Sequence, residues 1–566
     1  VYVIYPITFK DASPYDFLFN PEKPAILALS SAPIGYPCGS SAKLATRSVR
    51  IYPRRGNEKL TMSPDASPKP TLKLYSTLIV LASIAISAML LVRLVLNFRH
   101  QYFLTHVEGV WLASAYDLIH GIFYRPLFSS LGYGGTRYFP LYFVLTGALS
   151  KPLGSLETAG IALSGAGVVV ALAAVYTLLR RLTVSLLLSV AAVTSVLAVA
   201  TTQQALLGAK GDSLAAALNL WGVVLCVGSA TRRVALYCAA LLFTLAFATK
   251  ITTVFGVGAV FVAWILASRY KEAIQLAVAT ACGYILVLAS MYVASGGRVF
   301  AIFRACAGGG GSLSYTLQAP LHLLSKALDV DPVFLLFLVP AAVFGLHYFH
   351  ENRTDILPIY FVLVLLVTTV IFGSLGIGIN HLFDLQIAAV LLLVTSISRA
   401  PGAVAPASLP AHAPALTVVG TGLLAFALVV ALVPTSQSLH GDLTRPSFPA
   451  DTAEVLKRLP ADERPVLAEN PLIVINSNRA PYLLDPFMFR ILAMKHPELA
   501  GDLWVRMEHQ GFAAIVLERD PATSEGKTWY TDTHFGGEFL RDLDAHYAFS
   551  FATTKSYVYT PKVVQP

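Results

Sequence analysis

The chain has 566 residues, 55% of them apolar and only 13% charged, against roughly 25% charged in an ordinary soluble protein. That balance excludes water as the solvent for most of the chain, and it makes the location of the cations, rather than the formal +9, the informative quantity; no nucleic-acid partner is implied. Five cysteines, Cys38, Cys226, Cys238, Cys282 and Cys306, are scattered without a CxxC, so neither a zinc site nor a disulfide framework follows.

Residues 1–70 are rich in Pro, Ser, Lys and Arg, as in Tyr52-Pro53-Arg54-Arg55, and have no sustained period. They read as a disordered cytoplasmic tail or an over-extended start. Leu74 to Leu96 is the first stretch long and apolar enough to cross a bilayer, and with no small-residue cleavage site after it, it reads as an anchor. A long outer loop, 97–155, follows. In it His106 to Ile122 places Val107, Val110, Trp111, Ala115, Leu118, Ile119 and Ile122 at helical spacing, which predicts an amphipathic helix in the membrane interface. The apolar run Tyr138 to Leu149 is too short to span and predicts a re-entrant or surface helix.

Apolar segments then recur: Leu156–Leu179, Val184–Leu207, Ser213–Ala230, Val234–Thr249, Thr252–Ala267, Ala273–Ala294, Val333–Phe349, Ile356–Phe372, Ile379–Ile397 and Leu416–Val433. Arg180-Arg181, Arg232-Arg233, Arg269 with Lys271, Arg353 and Arg399 each follow one of them, and the positive-inside rule places all of these in the cytoplasm. The result is an α-helical polytopic membrane protein with about eleven transmembrane helices over 71–434, the N-terminus inside and the C-terminus outside. A second outer loop, Ser295 to Asp331, contains the glycine run Gly308 to Gly311, read as flexible backbone. After Pro434 the composition turns soluble. Helices over Asp451–Leu459, Pro486–Met494, Leu499–Gln510 and Phe535–Ala545, with strands at Pro465–Ala468, Ala513–Leu517 and near the end, predict a small α/β periplasmic domain over 435–566.

Ionisable residues in or beside spanning segments are costly and are functional candidates for that reason. Here they gather on one side. Glu108 opens the helix of the first outer loop, Lys210 and Asp212 end the third span, Lys250 lies at an outer turn, and Asn380, His381 and Asp384 begin the tenth span. Most have a structural alternative: Thr105 to Glu108 fits a capping box, Asp212 before Ser213 an N-cap, Lys250 a snorkelling lysine, and His381 and Asp384 structural polar groups.

The order Val107-Glu108-Gly109, Tyr138-Phe139-Pro140-Leu141-Tyr142, Lys210-Gly211-Asp212 and Ala248-Thr249-Lys250 resembles the GT-C superfamily of membrane glycosyltransferases, near its protein O-mannosyltransferase and lipid A aminoarabinose-transferase branch, over residues 75–400. Those proteins carry an acidic catalytic residue in the first outer loop, an Arg/His-Tyr-x-Pro-Leu-Tyr helix, and an Arg/Lys-Pro-Asp end to the third span. Two positions depart: Val107 replaces the Asp of the usual Asp-Glu pair, and Gly211 the usual proline. The resemblance implies transfer of a sugar, with inversion, from a polyprenyl-phosphate donor to a lipid, glycan or protein hydroxyl at a bacterial inner membrane. The resemblance and the chemistry of transfer from a lipid phosphate together point to Glu108 and Asp212 as catalytic carboxylates, Lys250, Lys210 and Arg304 as groups that offset the charge on the departing phosphate, and Tyr138, Asn380, His381 and Asp384 as substrate contacts. No cofactor is implied, and the dispersed acids show no metal-ligand spacing. Two rivals stand beside this reading: a transporter or lipid flippase, which predicts interrupted helices and midplane charges, and a non-catalytic assembly or sensory protein.

Overall fold

The computed structural model describes residues 70–229, 233–306, 312–351, 353–399 and 413–562, so the predicted tail and the glycine run at 308–311 lie outside the described residues. The chain is mostly helical. In order come α1 (Pro70–His100), α2 (His106–Ile119), a two-stranded hairpin of β1 (Phe128–Ser129) and β2 (Gly132–Tyr133), α3 (Pro140–Leu153), α4 (Leu156–Arg181), α5 (Leu186–Ala198), α6 (Ala200–Leu207), α7 (Asp212–Ser229), α8 (Arg233–Thr249), α9 (Phe255–Leu266) and α10 (Tyr270–Ala294). There follow α11 (Arg298–Cys306), α12 (Leu313–Leu317), α13 (Ala319–Val330), α14 (Pro332–Glu351), α15 (Ile356–Ile371), a 3-10 turn at Ile379–Leu382, α16 (Phe383–Arg399) and α17 (Ala413–Thr444). The C-terminal part is α18 (Phe448–Arg458), β3 (Val466–Ala468), α19 (Pro471–Ile475), α20 (Pro486–Lys495), α21 (Pro497–Glu508), β4 (Ala514–Leu517), α22 (Ser524–Thr528), α23 (Gly537–His546), β5 (Tyr547–Ala552) and β6 (Tyr557–Pro561).

Among the described residues five helices are long and apolar enough to cross a membrane, the bent pair α5 and α6 passes the same criterion only when its two helices are taken together, and five shorter apolar helices accompany them. The protein is a membrane protein on that count. The span beginning at Ile379 is the most buried, packed by α5, α14, α15 and α17, whereas α10 turns Ile285, Leu286 and Val293 outward, as lipid-facing helices do.

Three features differ from the sequence reading. The third apolar segment is not one rod: it bends by 74° at Val199, whose backbone is extended, and Asp331 accepts the Thr201 amide at 3.1 Å where α6 restarts. The loop 295–331 is largely helical, and α12 and α13 leave Leu313, Leu317, Leu321, Leu324 and Leu328 exposed at helical spacing. Finally, α2 is not a surface helix. Its residues 108–115 are all buried, because α3 and α4 cover one side and α19 the other. The short run after Tyr138 is α3, 14 residues or about 21 Å long, less than the roughly 30 Å hydrocarbon thickness.

The C-terminal sheet runs β3-β4-β6-β5, with β3 and β4 parallel and the other pairs antiparallel. Every residue of β3 and β4 is buried, which is why both read as continuous apolar runs rather than as alternating strands. This part is stitched to the first loop. Tyr133 donates its amide to Tyr482 and accepts from Leu484, and Arg125, bidentate on Asp117, also reaches the Pro481 carbonyl at 2.5 Å.

Candidate functional site

The site begins at the first turn of α2. Thr105, with extended backbone at φ −115 and ψ −178, donates its amide to Glu108 Oε2 at 3.0 Å, and its hydroxyl reaches the same oxygen. The capping contact is therefore formed, but it uses only half of the carboxylate. Glu108 Oε1 lies 2.8 Å from Lys210 Nζ, and the glutamate is 3% exposed. Capping and ion pairing coexist.

Lys210 and Asp212 sit on either side of Gly211, in the short turn between α6 and α7. The Lys210 amide donates to Ser164 Oγ on α4 at 2.9 Å, and the Ser213 hydroxyl donates to the Ser164 carbonyl at 2.8 Å, so one serine fixes both sides of the turn. A Cβ on Gly211 would lie 3.1 Å from the Trp111 ring, 3.2 Å from Thr249 Cγ2 and 3.2 Å from Tyr142 Cβ. Glycine thus lets α2, α3 and α8 close around the turn. Trp111 stacks on Tyr138 with ring centroids 3.9 Å apart and meets Tyr142 edge-on at 5.1 Å, giving the charges an aromatic wall.

The second ion pair lies on the other side of that turn. Asp212 Oδ1 is 2.6 Å from Lys250 Nζ, and Asp212 Oδ2 accepts from Asn380 Nδ2 at 3.0 Å. Asp384 Oδ2 stands 3.9 Å from the same ammonium. Lys250 therefore points inward at carboxylates rather than snorkelling outward. The structure brings together eight of the nine residues singled out from sequence, Glu108, Lys210, Asp212, Lys250, Asn380, Asp384, Tyr138 and His381, with Tyr138 stacked on the Trp111 ring beside Gly211 and His381 next to Asn380. Arg304 stands apart: it is exposed on α11 and makes no hydrogen bond or ion pair among the described residues.

Some buried polar atoms here have no partner. Asp384 Oδ1 and His381 Nδ1 make no hydrogen bond among the described residues. Arg137, half-buried beside Tyr138, makes no hydrogen bond or ion pair among them either, and its guanidinium lies 5.7 Å from the Phe487 ring centroid. Buried groups without partners are uncommon and call for an explanation, of which a ligand is one. Arg137 was missed as a candidate although it opens the Arg-Tyr-x-Pro-Leu-Tyr run. Trp111 and Ser164 carried no signal, since apolar and serine residues inside helices are ordinary.

No protein-family model and no curated protein sequence matches the chain. Solved structures do. The oligosaccharyltransferase AglB of Archaeoglobus fulgidus, in complex with an inhibitory peptide and a dolichol-phosphate, superposes with a TM-score of 0.50 at 12% identity, covering 86% of this chain and 74% of AglB. The same enzyme tethered to an acceptor peptide gives 0.51 at 12% identity, covering 87% and 74%. ArnT of Cupriavidus metallidurans bound to undecaprenyl phosphate gives 0.50 at 11% identity, covering 84% of this chain and 97% of ArnT. At these identities the likeness is one of fold: the chain shares the fold of AglB and ArnT.

Proposed function

From that fold we propose that the chain is an inverting glycosyltransferase that moves a sugar from a polyprenyl-phosphate donor to an acceptor hydroxyl on the periplasmic side of a bacterial inner membrane. About eleven crossings, five of them helices that meet the length criterion as they stand, would put the N-terminus in the cytoplasm and the C-terminal α/β part, over 435–566, outside. The observation that carries the reading is the convergence, next to an aromatic wall, of two buried ion pairs, two buried polar atoms with no hydrogen bond among the described residues, and the half-buried Arg137.

Each ion pair can lend its halves to different parts of one reaction. Glu108 accepts the proton of the attacking hydroxyl, while Lys210, freed from it, faces the charge that develops on the leaving phosphate. Asp212 keeps Lys250 in place from the other side and is the alternative base. Arg137, with no competing acid bonded to it, joins Lys250 and Lys210 as the donor-phosphate ligand, in place of the exposed Arg304. Tyr138, Asn380, His381 and Asp384 border the sugar. AglB and ArnT, whose structures hold a dolichol-phosphate and undecaprenyl phosphate, support this donor class.

The bent α5 and α6 pair is a feature a transporter or flippase would share. Membranes carrying the protein, supplied with labelled polyprenyl-phosphate sugars, separate these readings: label passing to a new acceptor supports transfer, and label crossing the bilayer while still on its lipid carrier would replace it. Cysteines at Ser129 and Ser155 test the orientation, since both should react from outside in intact cells.

A further inference from the structure

The parallel strands β3 and β4 end at the same edge of the sheet, and the residue after each is a glutamate, Glu469 and Glu518. Helix α2 starts at that edge. Glu518 Oε1 accepts the His106 amide at 2.9 Å and Asn470 Nδ2 at 3.0 Å, and Glu518 Oε2 is 2.7 Å from His106 Nδ1. Behind it the fully buried Glu469 accepts the Glu518 amide, the Trp529 indole and the Tyr530 hydroxyl, each at 2.7 Å, and pairs with His534 Nδ1 at 2.8 Å. Contact between α2 and α19 is close: a Cβ on Gly109 would lie 2.5 Å from Asn470 Oδ1 and 2.9 Å from Pro471 Cδ.

The His106 amide is one of the first amides of α2, which have no acceptor inside the helix, and the positive end of the helix favours a carboxylate. Glu108 lies in the same turn. We propose that Glu518 is a positioning residue, through which the C-terminal α/β part holds the first turn of α2 and so aims Glu108 at Lys210. His106, Glu469 and Glu518 also have ligand atoms within 4.8 Å of one another, as a metal site requires. Every carboxylate oxygen in the group already has a donor, however, which favours a hydrogen-bonded clamp over a cation site. The contact stands independently of the reaction; its consequence for turnover rests on the transferase reading.

The test is hydrogen exchange on the full-length protein in lipid nanodiscs, with Glu518→Ala and with Glu518→Gln, which keeps an oxygen for the His106 amide. The peptide spanning residues 105–112 should exchange at least tenfold faster in the alanine variant and by an intermediate factor in the glutamine variant, while helices far from the sheet are unchanged. In the donor assay the alanine variant should lose at least tenfold in kcat with donor KM within twofold, and the glutamine variant should recover most of the loss. Unaltered exchange over 105–112 in both variants would overturn the clamp. So would a stoichiometric bound metal, found by elemental analysis of the wild type and lost on Glu518→Ala. Faster exchange alongside a wild type with no transfer activity would support the clamp and refute the transferase.

Discussion

Two clusters of buried charge in this protein are built to opposite rules. Around Glu469 and Glu518 every carboxylate oxygen has a donor from the same C-terminal part or from the first turn of α2. Around Asp212 and Lys250 the charges are paired, but Asp384 Oδ1, His381 Nδ1 and Arg137 lack hydrogen-bond partners among the described residues. A satisfied network is rigid and has nothing left to offer a ligand, whereas a partly satisfied one keeps capacity for it. On the proposed reading the first cluster is scaffold and the second the reaction site, and α2, which carries both His106 and Glu108, links them.

The sharpest way to break that division is Glu108→Gln. Glutamine still offers an oxygen to the Thr105 amide but takes no proton near neutral pH and leaves Lys210 without its anion, so some stability should be lost while turnover of the folded protein falls by roughly a hundredfold or more. Near-normal turnover in a steady-state assay would make Glu108 a cap only and move the base to Asp212.

Lys250→Met comes next, and it separates charge pairing from phosphate binding. Alone it leaves Asp212 buried without its cation and should destabilise the protein by about 3–5 kcal/mol. Lys250→Met with Asp212→Asn should recover the thermal midpoint but not the donor turnover. Recovery of both would remove the pair from the site.

Arg137→Met should raise donor KM by about tenfold, or about 1.4 kcal/mol, because a charge-assisted contact is lost while no buried partner is stranded. The exposed Arg304→Met is the control and should change donor KM less than twofold. Equal effects at the two positions would return Arg304 to the phosphate site.

The smallest effect is a pH slope in the scaffold cluster, with Trp529 fluorescence as the probe. Burial and the nearby His106 bring His534 down to about 4, below its ordinary 6.5, so the unfolded chain binds a proton that the folded one refuses. Stability should therefore fall as pH drops from 6.5 toward 4. Burial would raise Glu469, but the hydrogen bond and charge of His534 hold it below the carboxylate range, and its contribution is likewise lost in acid. Burial would lower His106, but Glu518 raises it; its contribution changes above pH 6.5 and leaves the acid window to the other two. His534→Gln should flatten the slope between pH 6.5 and 4, and an unchanged slope would place the titrating group elsewhere.

Local chemistry in the sequence determined a good deal. Apolar length set the membrane helices, and continuous burial made β3 and β4 legible as Val466–Ala468 and Ala514–Leu517 within the runs read at 465–468 and 513–517. Thr105 and Glu108, three residues apart, fixed the start of α2, and the cost of charge in apolar helices singled out Lys210, Asp212 and Lys250. Only the tertiary structure decided the pairings, Glu108 with Lys210 and Asp212 with Lys250, because partners 102 and 38 residues apart leave no spacing signal. The bend at Val199 was equally hidden, since the apolar run around it holds no Gly or Pro and the capping acid, Asp331, lies 130 residues away. The same holds for α2, whose amphipathic pattern suggested a membrane surface until Glu518, 412 residues along the chain, proved to hold its first turn. Periodicity tells a helix which face is apolar; what covers the other face depends on a part of the chain that periodicity does not see.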